Sequence, residues 1–289
     1  MKTSSGVSLA IDSTDARHHG IRWITIVPFT VLHLGAIAAP FFFTWPALLT
    51  AVILYWLSIS VGLAMGYHRL LTHRSYSVPK AVEYVLTVFG TLAMQGGPIP
   101  WVSRHRLHHH FSDTDHDPHS PRKGWLWGHI GWMLVQAHSD RVAGACAGYG
   151  KDLQKDRFYV WLTRYNHLPQ AILAVLLLLL GGFPLLIWGI FLRAAVGLHA
   201  TLLVNSASHL WGRRRFQTSD DSRNNWWVAV LTFGEGWHNN HHAFPKSARH
   251  GLKWHEPDLT YLLIHILQIF GVATSVHSVS RTRDASAER

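Results

Sequence analysis

An all-α integral membrane protein with four transmembrane helices is the fold class that the sequence predicts. Hydrophobic residues make up 48% of the 289 residues and charged residues only 15%, below the ~25% usual in soluble proteins. Tryptophan, which collects where membranes meet water, occurs 14 times. Histidine occurs 23 times, nearly as often as the 26 Lys and Arg together. Such an excess indicates metal or proton chemistry, because imidazole binds metals and titrates near neutrality.

Four apolar runs carry the prediction of four spans, since each approaches the ~20 residues that a helix needs to cross a bilayer. They cover residues 21–43, 46–67, 168–182 and 185–203. The turn signals Thr44-Trp45-Pro46 and Gly181-Gly182-Phe183-Pro184 divide the first pair and the second pair. Arg193 lies inside the fourth run, where a charge is costly in lipid, and it counts against that span.

A single membrane domain, residues 21–278, is predicted between two polar tails, 1–20 and 279–289, that are expected to be disordered. Basic residues flank the first, second and fourth runs, and the positive-inside bias then assigns both termini and segment 68–167 to the cytoplasmic side. These basic residues are Arg17, Arg22, Arg69, Arg74, Arg213, Arg214 and Arg215. The apolar segment 82–100 and a helix near 257–272 are predicted to pack in or against the membrane surface without crossing it.

Three histidine clusters lie near the ends of these runs. They are His68 with His73; His105 with His108 and His109; and His238 with His241 and His242. In the last two clusters, positions i, i+3 and i+4 share one helix face. His68 and His73 are about 140° apart on a regular α-helix, so either they ligate different metals or the helix loosens between them. Eight imidazoles are too many for one tetrahedral ion and suit two metals of higher coordination number.

The residue types restrict the metal and the partners. Cys146 is the only cysteine, which excludes a Cys-ligated zinc site and an iron–sulfur cluster. Imidazole suits Fe, Cu, Ni and Zn, so the ligands alone leave the metal open. The net charge of +10 is compatible with nucleic acid, an anionic membrane or an acidic protein. No basic-aromatic nucleic-acid module occurs, and the hydropathy favours the membrane.

The strings around the clusters resemble the membrane fatty-acid desaturases, in particular the Δ9 group that includes stearoyl-CoA desaturase and the bacterial and cyanobacterial enzymes. The resemblance covers roughly residues 45–260. The segments that match are GYHRLLTHRS at 66–75, WVSRHRLHH at 101–109, SDTDHDPH at 112–119 and GEGWHNNHHAFP at 234–245.

The resemblance implies four spans under a cytoplasmic helical cap that holds a histidine-ligated di-iron centre. It implies His209 as a ninth ligand, from Asn205-Ser-Ala-Ser-His209, and Asn205 as the holder of a metal-bound water. Asp113, Asp117 and Glu235 are candidates for fixing the imidazoles through their other ring nitrogen. The single histidines are expected to be structural or exposed: His33, His129, His138, His167, His199, His250, His255 and His265.

The resemblance also implies an acyl tunnel that bends at the metals between Trp101, Gln95 and Thr201. A closed apolar tube selects chain length, because each buried methylene contributes about 0.8 kcal/mol. Trp56 and Ser60, on the second run, are candidates for the blind end of this tunnel. The implied reaction is O₂- and electron-dependent removal of one hydrogen each from C9 and C10 of a saturated long-chain acyl group, giving the cis alkene and water.

Electrons are expected from a separate ferredoxin or cytochrome-type carrier, since no Gly-x-Gly-x-x-Gly or His-Pro-Gly-Gly motif occurs. The acyl carrier stays open between acyl-CoA, which is preferred, and acyl-lipid. Animal acyl-CoA enzymes have polar and charged CoA-binding residues where this chain has Gly96-Gly97 and Ser103-Arg104, and this departure resembles bacterial and cyanobacterial members, some of which act on acyl-lipids. The implied location is a bacterial inner (cytoplasmic) membrane, with the active site on the cytoplasmic side.

Two other functions remain as alternatives. A histidine-box membrane hydroxylase of an alkane, sterol or carotenoid would give an alcohol instead of an alkene. A membrane metal transporter would want its ligands within the spans, whereas these histidines cluster at span ends.

Overall fold

A computed structural model describes residues 20–279, and this part of the chain is helical, with isolated β-bridges and no strand. The predicted disorder of the tails falls on residues 1–19 and 280–289, outside the described residues. The principal helices are α1 (Trp23–Ile37), α2 (Trp45–Thr72), α3 (Lys80–Thr91), α4 (Pro98–Phe111), α5 (Gln136–Cys146), α6 (Arg157–Arg164), α7 (Leu168–Leu186), α8 (Arg193–Leu210), α9 (Trp226–Leu231), α10 (His238–Ala243) and α11 (Leu259–Ile269).

The first predicted span, 21–43, forms α1 and a following 3₁₀ turn, Ala39–Phe42. Pro40 lacks the N–H that would continue the α-helical hydrogen bonding of α1. Thr44 then begins α2, because its side-chain oxygen accepts a hydrogen bond from the Ala47 N–H (3.2 Å). Pro46 occupies the first turn of α2, where a missing N–H costs nothing.

The long helix α2 is α-helical from Trp45 to Trp56 and π-helical from Leu57 to Thr72. Helix α3 packs directly on its second half: a Cβ on Gly62 would lie 2.3 Å from the Phe89 carbonyl carbon. The 12 residues of α3 rise only about 18 Å, less than the ~30 Å of a hydrocarbon core. The segment 82–100 therefore contains a short helix and a turn that lead into α4, and it does not form one spanning helix.

A helical hairpin follows, as the Gly181-Gly182 signal predicts. Both glycines have non-helical dihedrals, and Gly182 has a φ of 66° that favours glycine. Beyond the break, α7 continues through a π-helical segment, Ile187–Leu192, into α8. The Arg193 Nη2 donates to the Gln170 Oε1 (3.0 Å), although 23 residues of unbroken helix would separate them by about 34 Å. The chain has therefore reversed direction at the glycines.

Arg193, which counted against the fourth predicted span, is buried inside the protein, with 2% of its surface exposed. Its guanidinium donates to the Gly189 carbonyl (2.8 Å), the Leu92 carbonyl and the Gln170 side chain. These acceptors replace water around the cation, so the charge does not face lipid.

Large apolar side chains cover the outer faces of these helices. Two helical stretches, Trp45–Thr72 and Leu168–Leu210, are long and apolar enough to cross a membrane, and the second contains the hairpin. Exposed apolar residues lie along α1, α7 and α11: Ile24, Val27, Val31, Leu34, Ile172, Val175, Leu179, Leu180, Leu259, Leu262, Ile266 and Ile269. Apolar surface on this scale is typical of contact with lipid and not with water.

Candidate metal centre

Nine histidines from four segments converge beside the ends of α2 and α8. They divide into two groups, and within each group the potential ligand atoms lie within 4.8 Å of one another. The five-histidine group contains His68, His73, His105, His109 and His241; the four-histidine group contains His108, His209, His238 and His242. All nine histidines that the sequence singles out are thus brought together.

Local helix geometry explains how each cluster is shared. The π-helical end of α2 has an i→i+5 hydrogen bond from the His73 N–H to the His68 carbonyl (3.1 Å), which turns both rings to one side. In α4, the i, i+4 pair His105 and His109 joins the five-histidine group, and His108 joins the other. Helix α10 has the opposite division. Its i, i+4 pair, His238 and His242, belongs to the four-histidine group, and His241 belongs to the five-histidine group.

The distances between ring nitrogens fit shared metal ions. The His241 Nε2 lies 3.1 Å from the His68 Nε2 and 2.9 Å from the His109 Nε2. One imidazole nitrogen carries either one proton or one lone pair, so it cannot hydrogen-bond to both neighbours. Two nitrogens that each lie 2.0–2.1 Å from one ion, with a right angle between the two bonds, are about 2.9 Å apart. A shared cation therefore accounts for both contacts.

The remaining nitrogens agree with this interpretation. In the four-histidine group, the Nε2 atoms of His209 and His238 are 3.0 Å apart. The buried Nε2 atoms of His73, His108 and His242 have no hydrogen-bond partner among the described residues. Buried polar atoms are normally partnered, and a metal ion would supply the partner for these three. The donor set therefore fits two ions with imidazole ligands.

Four carboxylates orient the imidazoles from behind. The Nδ1 atoms of His108, His209 and His242 lie 3.1, 2.7 and 2.6 Å from carboxylate oxygens, and His68 makes a short contact of the same kind. The carboxylates are Asp117, Asp113, Asp220 and Glu235 in the same order. An Nδ1–H donated to a carboxylate leaves the Nε2 lone pair free to point into the group, the usual arrangement behind metal-binding histidines.

Three of these carboxylates are the ones the sequence points to, and Asp220 is one that it misses. Asp220 lies in the connection between α8 and α9, at no fixed spacing from His242. The only available signal is an Asp220-Asp221 pair in an otherwise basic stretch. Arg69 also has a role that the sequence does not reveal, since it is fully buried and pairs with Glu235 (2.7 Å) and Asp258 (3.0 Å).

Electrostatics keep Glu235 charged and the His109 and His241 imidazoles neutral. Burial alone would raise the pKa of Glu235, but Arg69 and His68 outweigh it and hold that pKa well below its usual range. Burial and neighbouring imidazoles lower the pKa of His109 and His241 well below the ordinary value. Neutral imidazole is the form that binds a metal.

Two further buried histidines adjoin the groups. His250, expected to be structural or exposed, is fully buried, with its ring 4.5 Å from that of His241 and its Nδ1 3.6 Å from Glu235. His119 lies inside a resembling string, and its ring is 4.4 Å from that of His108. Each therefore extends the set of nitrogen donors around the two groups. No spacing rule in the sequence separates them from the single histidines.

A cavity of about 1060 Å³ reaches both groups, at the upper end of the ~300–1,000 Å³ usual for small-molecule sites. Gln95, Trp101 and Thr201 line it together. The Gln95 Nε2 donates to the Thr201 Oγ1 (2.5 Å), and the Trp101 Nε1 donates to the Gln95 Oε1 (3.3 Å). The Trp101 ring stacks on His105 at 5.1 Å. Asn205 and His238 also line the cavity.

The two residues expected at the blind end of the tunnel do not line this cavity. Ser60 is fully buried and hydrogen-bonds to Thr260 on α11 (3.0 Å), and Trp56 is 37% exposed on the outside of α2. Neither lines the cavity. On α2, Ile59 and Leu63 line it instead, because they lie on the inward face of the helix.

Comparison with known proteins gives a consistent result. The family model for fatty acid desaturases matches residues 43–263, which contain all nine histidines. The chain is 50% identical to an sn-1 stearoyl-lipid 9-desaturase of Anabaena variabilis over 258 residues, 89% of this chain and 94% of that protein. It is 48% identical to an sn-2 palmitoyl-lipid 9-desaturase of Nostoc sp. (strain 36), covering 89% and 91%. It is 45% identical to an icosanoyl-CoA 5-desaturase of Limnanthes douglasii, covering 86% and 70%.

Proposed function

Since the chain belongs to the fatty acid desaturase family and is an oxidoreductase, we propose that it forms a cis double bond between C9 and C10 of a saturated long-chain acyl group. The observation that carries this proposal is the joining of both histidine groups to one cavity of acyl size. His68 and His105 from one group and His238 from the other line its wall. An acyl chain in the cavity passes both groups, which a metal transport site does not require.

The nine histidines are proposed to hold two iron ions, with Asn205 acting through a water. When bound, the irons would activate O₂, which the two carrier electrons reduce, so that it can oxidise an unactivated C–H bond. The balance is one O₂, two electrons and two protons consumed, two hydrogens removed from the chain, and two waters released. The chain's own residues position the substrate: the side chains of Gln95, Thr201 and Trp101 are joined by hydrogen bonds in the cavity wall.

The acyl carrier is proposed to be a membrane glycerolipid. Two relatives at about 50% identity act, by name, on stearoyl-lipid and palmitoyl-lipid and form a double bond at position 9. A third relative acts on an acyl-CoA at position 5, so acyl-CoA and a different position are outcomes that the experiment must separate. The expectation from the sequence prefers acyl-CoA, and the relatives favour the lipid.

The apolar helices and the family indicate a membrane protein. The finer proposal is four spans, formed by α1, α2, α7 and the helix that continues into α8, in a bacterial inner membrane with the metal centre on the cytoplasmic side. The reversal at Gly181-Gly182 and the internal partners of Arg193 support it. A separate ferredoxin or cytochrome-type protein is proposed as the electron donor.

The test is expression in a desaturase-deficient bacterium, followed by separation of lipid classes and analysis of fatty-acid methyl esters. We expect a cis-9 alkene in glycerolipids, with its position fixed by dimethyl disulfide adducts. The His241→Ala variant at equal membrane abundance should give none. A hydroxylated product or no product contradicts the proposal. Purified protein supplied with reduced ferredoxin and either stearoyl-CoA or a stearoyl glycerolipid identifies the carrier.

A further inference from the structure

Helix α10 presents histidines of both groups on one face and two asparagines on the other. Successive residues of an α-helix are about 100° apart, so His238, His241 and His242 lie within an arc of about 100°. Asn239 and Asn240 lie on the opposite side, and both are buried, with 0% and 2% of their surface exposed. Six residues are too few for a helix that is stable by itself, so contacts with other segments set the orientation of α10.

Asn239 joins α10 to the segment that follows α8. Its Oδ1 accepts hydrogen bonds from the backbone N–H groups of Arg215 and Phe216 (2.7 Å each), and its Nδ2 donates to the Phe216 carbonyl (3.1 Å). The same segment leads to Asp220, whose carboxylate lies 2.6 Å from the His242 Nδ1. Asn239 therefore ties α10 to the stretch of chain that supports one of the histidines of α10.

Asn240 joins α10 to two further segments. The Asn224 Nδ2 donates to the Asn240 Oδ1 (2.7 Å), and the Asn240 backbone N–H donates to the Asn224 Oδ1 (3.1 Å). The Asn240 Nδ2 donates to the His250 carbonyl (2.8 Å) and to the Glu256 carboxylate (3.0 Å). The oxygen and both N–H groups of this amide thus have partners. The segment that it binds also places the His250 ring 4.5 Å from the ring of His241.

We propose that Asn239 and Asn240 are positioning residues of the metal centre. They hold α10 at the rotation at which His241 reaches the five-histidine group while His238 and His242 reach the four-histidine group. Neither asparagine lines the cavity, so both act through the histidines. A rotation of α10 about its axis would withdraw imidazoles from both groups at once, because all three are on one short helix. The inference rests on the proposed function only for the presence of iron.

Iron release gives a readout that needs no turnover. Purified iron-loaded protein in detergent, without an electron donor, is exposed to a chelator. Native mass spectrometry then counts the molecules that hold two, one and no iron as time passes. Thermal unfolding of the metal-free protein reports the stability of the fold separately from the binding of iron.

Asn239→Leu replaces the amide with an apolar side chain of similar size and leaves the backbone N–H groups of Arg215 and Phe216 without their acceptor. We expect both irons to leave about ten-fold faster or more, the usual scale for losing a contact behind metal-binding histidines. Asn240→Leu should have the same effect, since it acts on the same helix. Asn239→Asp keeps the accepting oxygen and should release iron at a rate between those of the wild type and Asn239→Leu.

Asn225→Leu is the matched control. Asn225 is also buried, with 4% of its surface exposed, but its side chain bonds outside α10. Its Oδ1 accepts from the Val228 N–H (3.4 Å) at the start of α9, and its Nδ2 donates to the Trp211 carbonyl (3.3 Å). Loss of this helix cap lowers the stability of the fold. We nevertheless expect Asn225→Leu to release both irons at the wild-type rate.

Equal iron release from Asn239→Leu and Asn225→Leu overturns the proposal, because Asn239 then acts only on the stability of the fold. Faster loss of one iron alone also overturns it, since α10 holds histidines of both groups. If Asn239→Leu does not fold, Asn239→Asp decides, and release at the wild-type rate overturns the proposal.

The positioning role and the proposed function fail in different ways. If no alkene forms in the cell but iron release depends on Asn239, the positioning role stands and the proposed function fails. An alkene together with unchanged iron release removes the positioning role alone. A wild-type protein that holds no iron contradicts both.

Discussion

The backbone N–H of His73 donates to the carbonyl of His68 across 3.1 Å, one residue further than an α-helix allows. The two rings are consequently 4.7 Å apart between centroids and belong to one group of five. Of the two outcomes that the five-residue spacing leaves open, the helix loosens. The π-helical stretch is thus the local feature that makes the five-histidine group possible.

Replacing His73 with Ala should reduce iron from about two ions per chain toward about one, because the five-histidine group loses a nitrogen while the other group keeps four. Metal analysis of purified protein measures this. His110→Ala is the control, since His110 is exposed on the same helix as His109 and belongs to neither group. Unchanged iron in His73→Ala would contradict the assignment.

Asp220→Asn should weaken iron binding about 10–100-fold, the usual effect of removing the partner behind a metal-binding histidine. The carboxylate is 2.6 Å from the His242 Nδ1 and fixes its tautomer. The measurement is iron release to a chelator over time. Asp221→Asn provides the comparison, because the Asp221 side chain pairs with Arg122 on the exposed surface. Equal release from both variants would assign Asp220 a purely structural role.

Thr201→Val should lower desaturation about five-fold with unchanged iron content, since it removes a hydrogen bond worth about 1 kcal/mol from the bend of the cavity wall. The hydroxyl oxygen accepts from Gln95, and Val keeps the side-chain shape. Product methyl esters give both the rate and the double-bond position. Thr201→Ser, which retains the hydroxyl, should restore activity. Failure of Ser to do so would show that shape and not the hydrogen bond matters.

Arg193→Met should destabilise the protein by about 2–4 kcal/mol, because the buried Leu92 carbonyl and Gln170 side chain lose their donor. Thermal unfolding in detergent measures the change. Arg213→Met is the matched control at an exposed position. Equal melting temperatures for the two variants would mean that the Arg193 network contributes nothing to the hairpin.

The metal-free protein should lose stability as the pH falls from 7.5 to 5.5. Burial and neighbouring imidazoles hold the pKa of His105, His109, His238, His241 and His250 well below the ordinary value. The unfolded chain takes up protons near pH 6.5 and the folded chain does not, so each proton favours unfolding below about pH 6.5. Melting temperatures of chelated protein check this, and a pH-independent value would refute it.

Local chemistry in the sequence accounts for much of the fold. Apolar length predicts the helices, and Gly181-Gly182 predicts the reversal that the Arg193–Gln170 contact requires. The segment 82–100 is predicted not to cross, and the structure divides it between α3, a turn and α4. These features depend on a few neighbouring residues and their backbone preferences, which is why they are readable from the sequence.

The site is readable only in part. The nine histidines that the sequence singles out lie together, and Gln95, Trp101 and Thr201 line one cavity, whereas Trp56 and Ser60 do not line it. A residue on α2 can face the cavity or face α11, depending on how the helix is rotated about its axis. Packing against other helices sets this rotation, and no sequence motif encodes it.

The sequence by itself determined which residue types are available: imidazoles at helical spacings, apolar runs long enough for a bilayer, and a glycine pair that breaks a helix. The tertiary structure alone decided how these imidazoles divide into groups of five and four, and that Asp220 supports His242. The physical reason is that each of these contacts joins segments distant along the chain, and their separation is set by packing between helices and not by spacing within one.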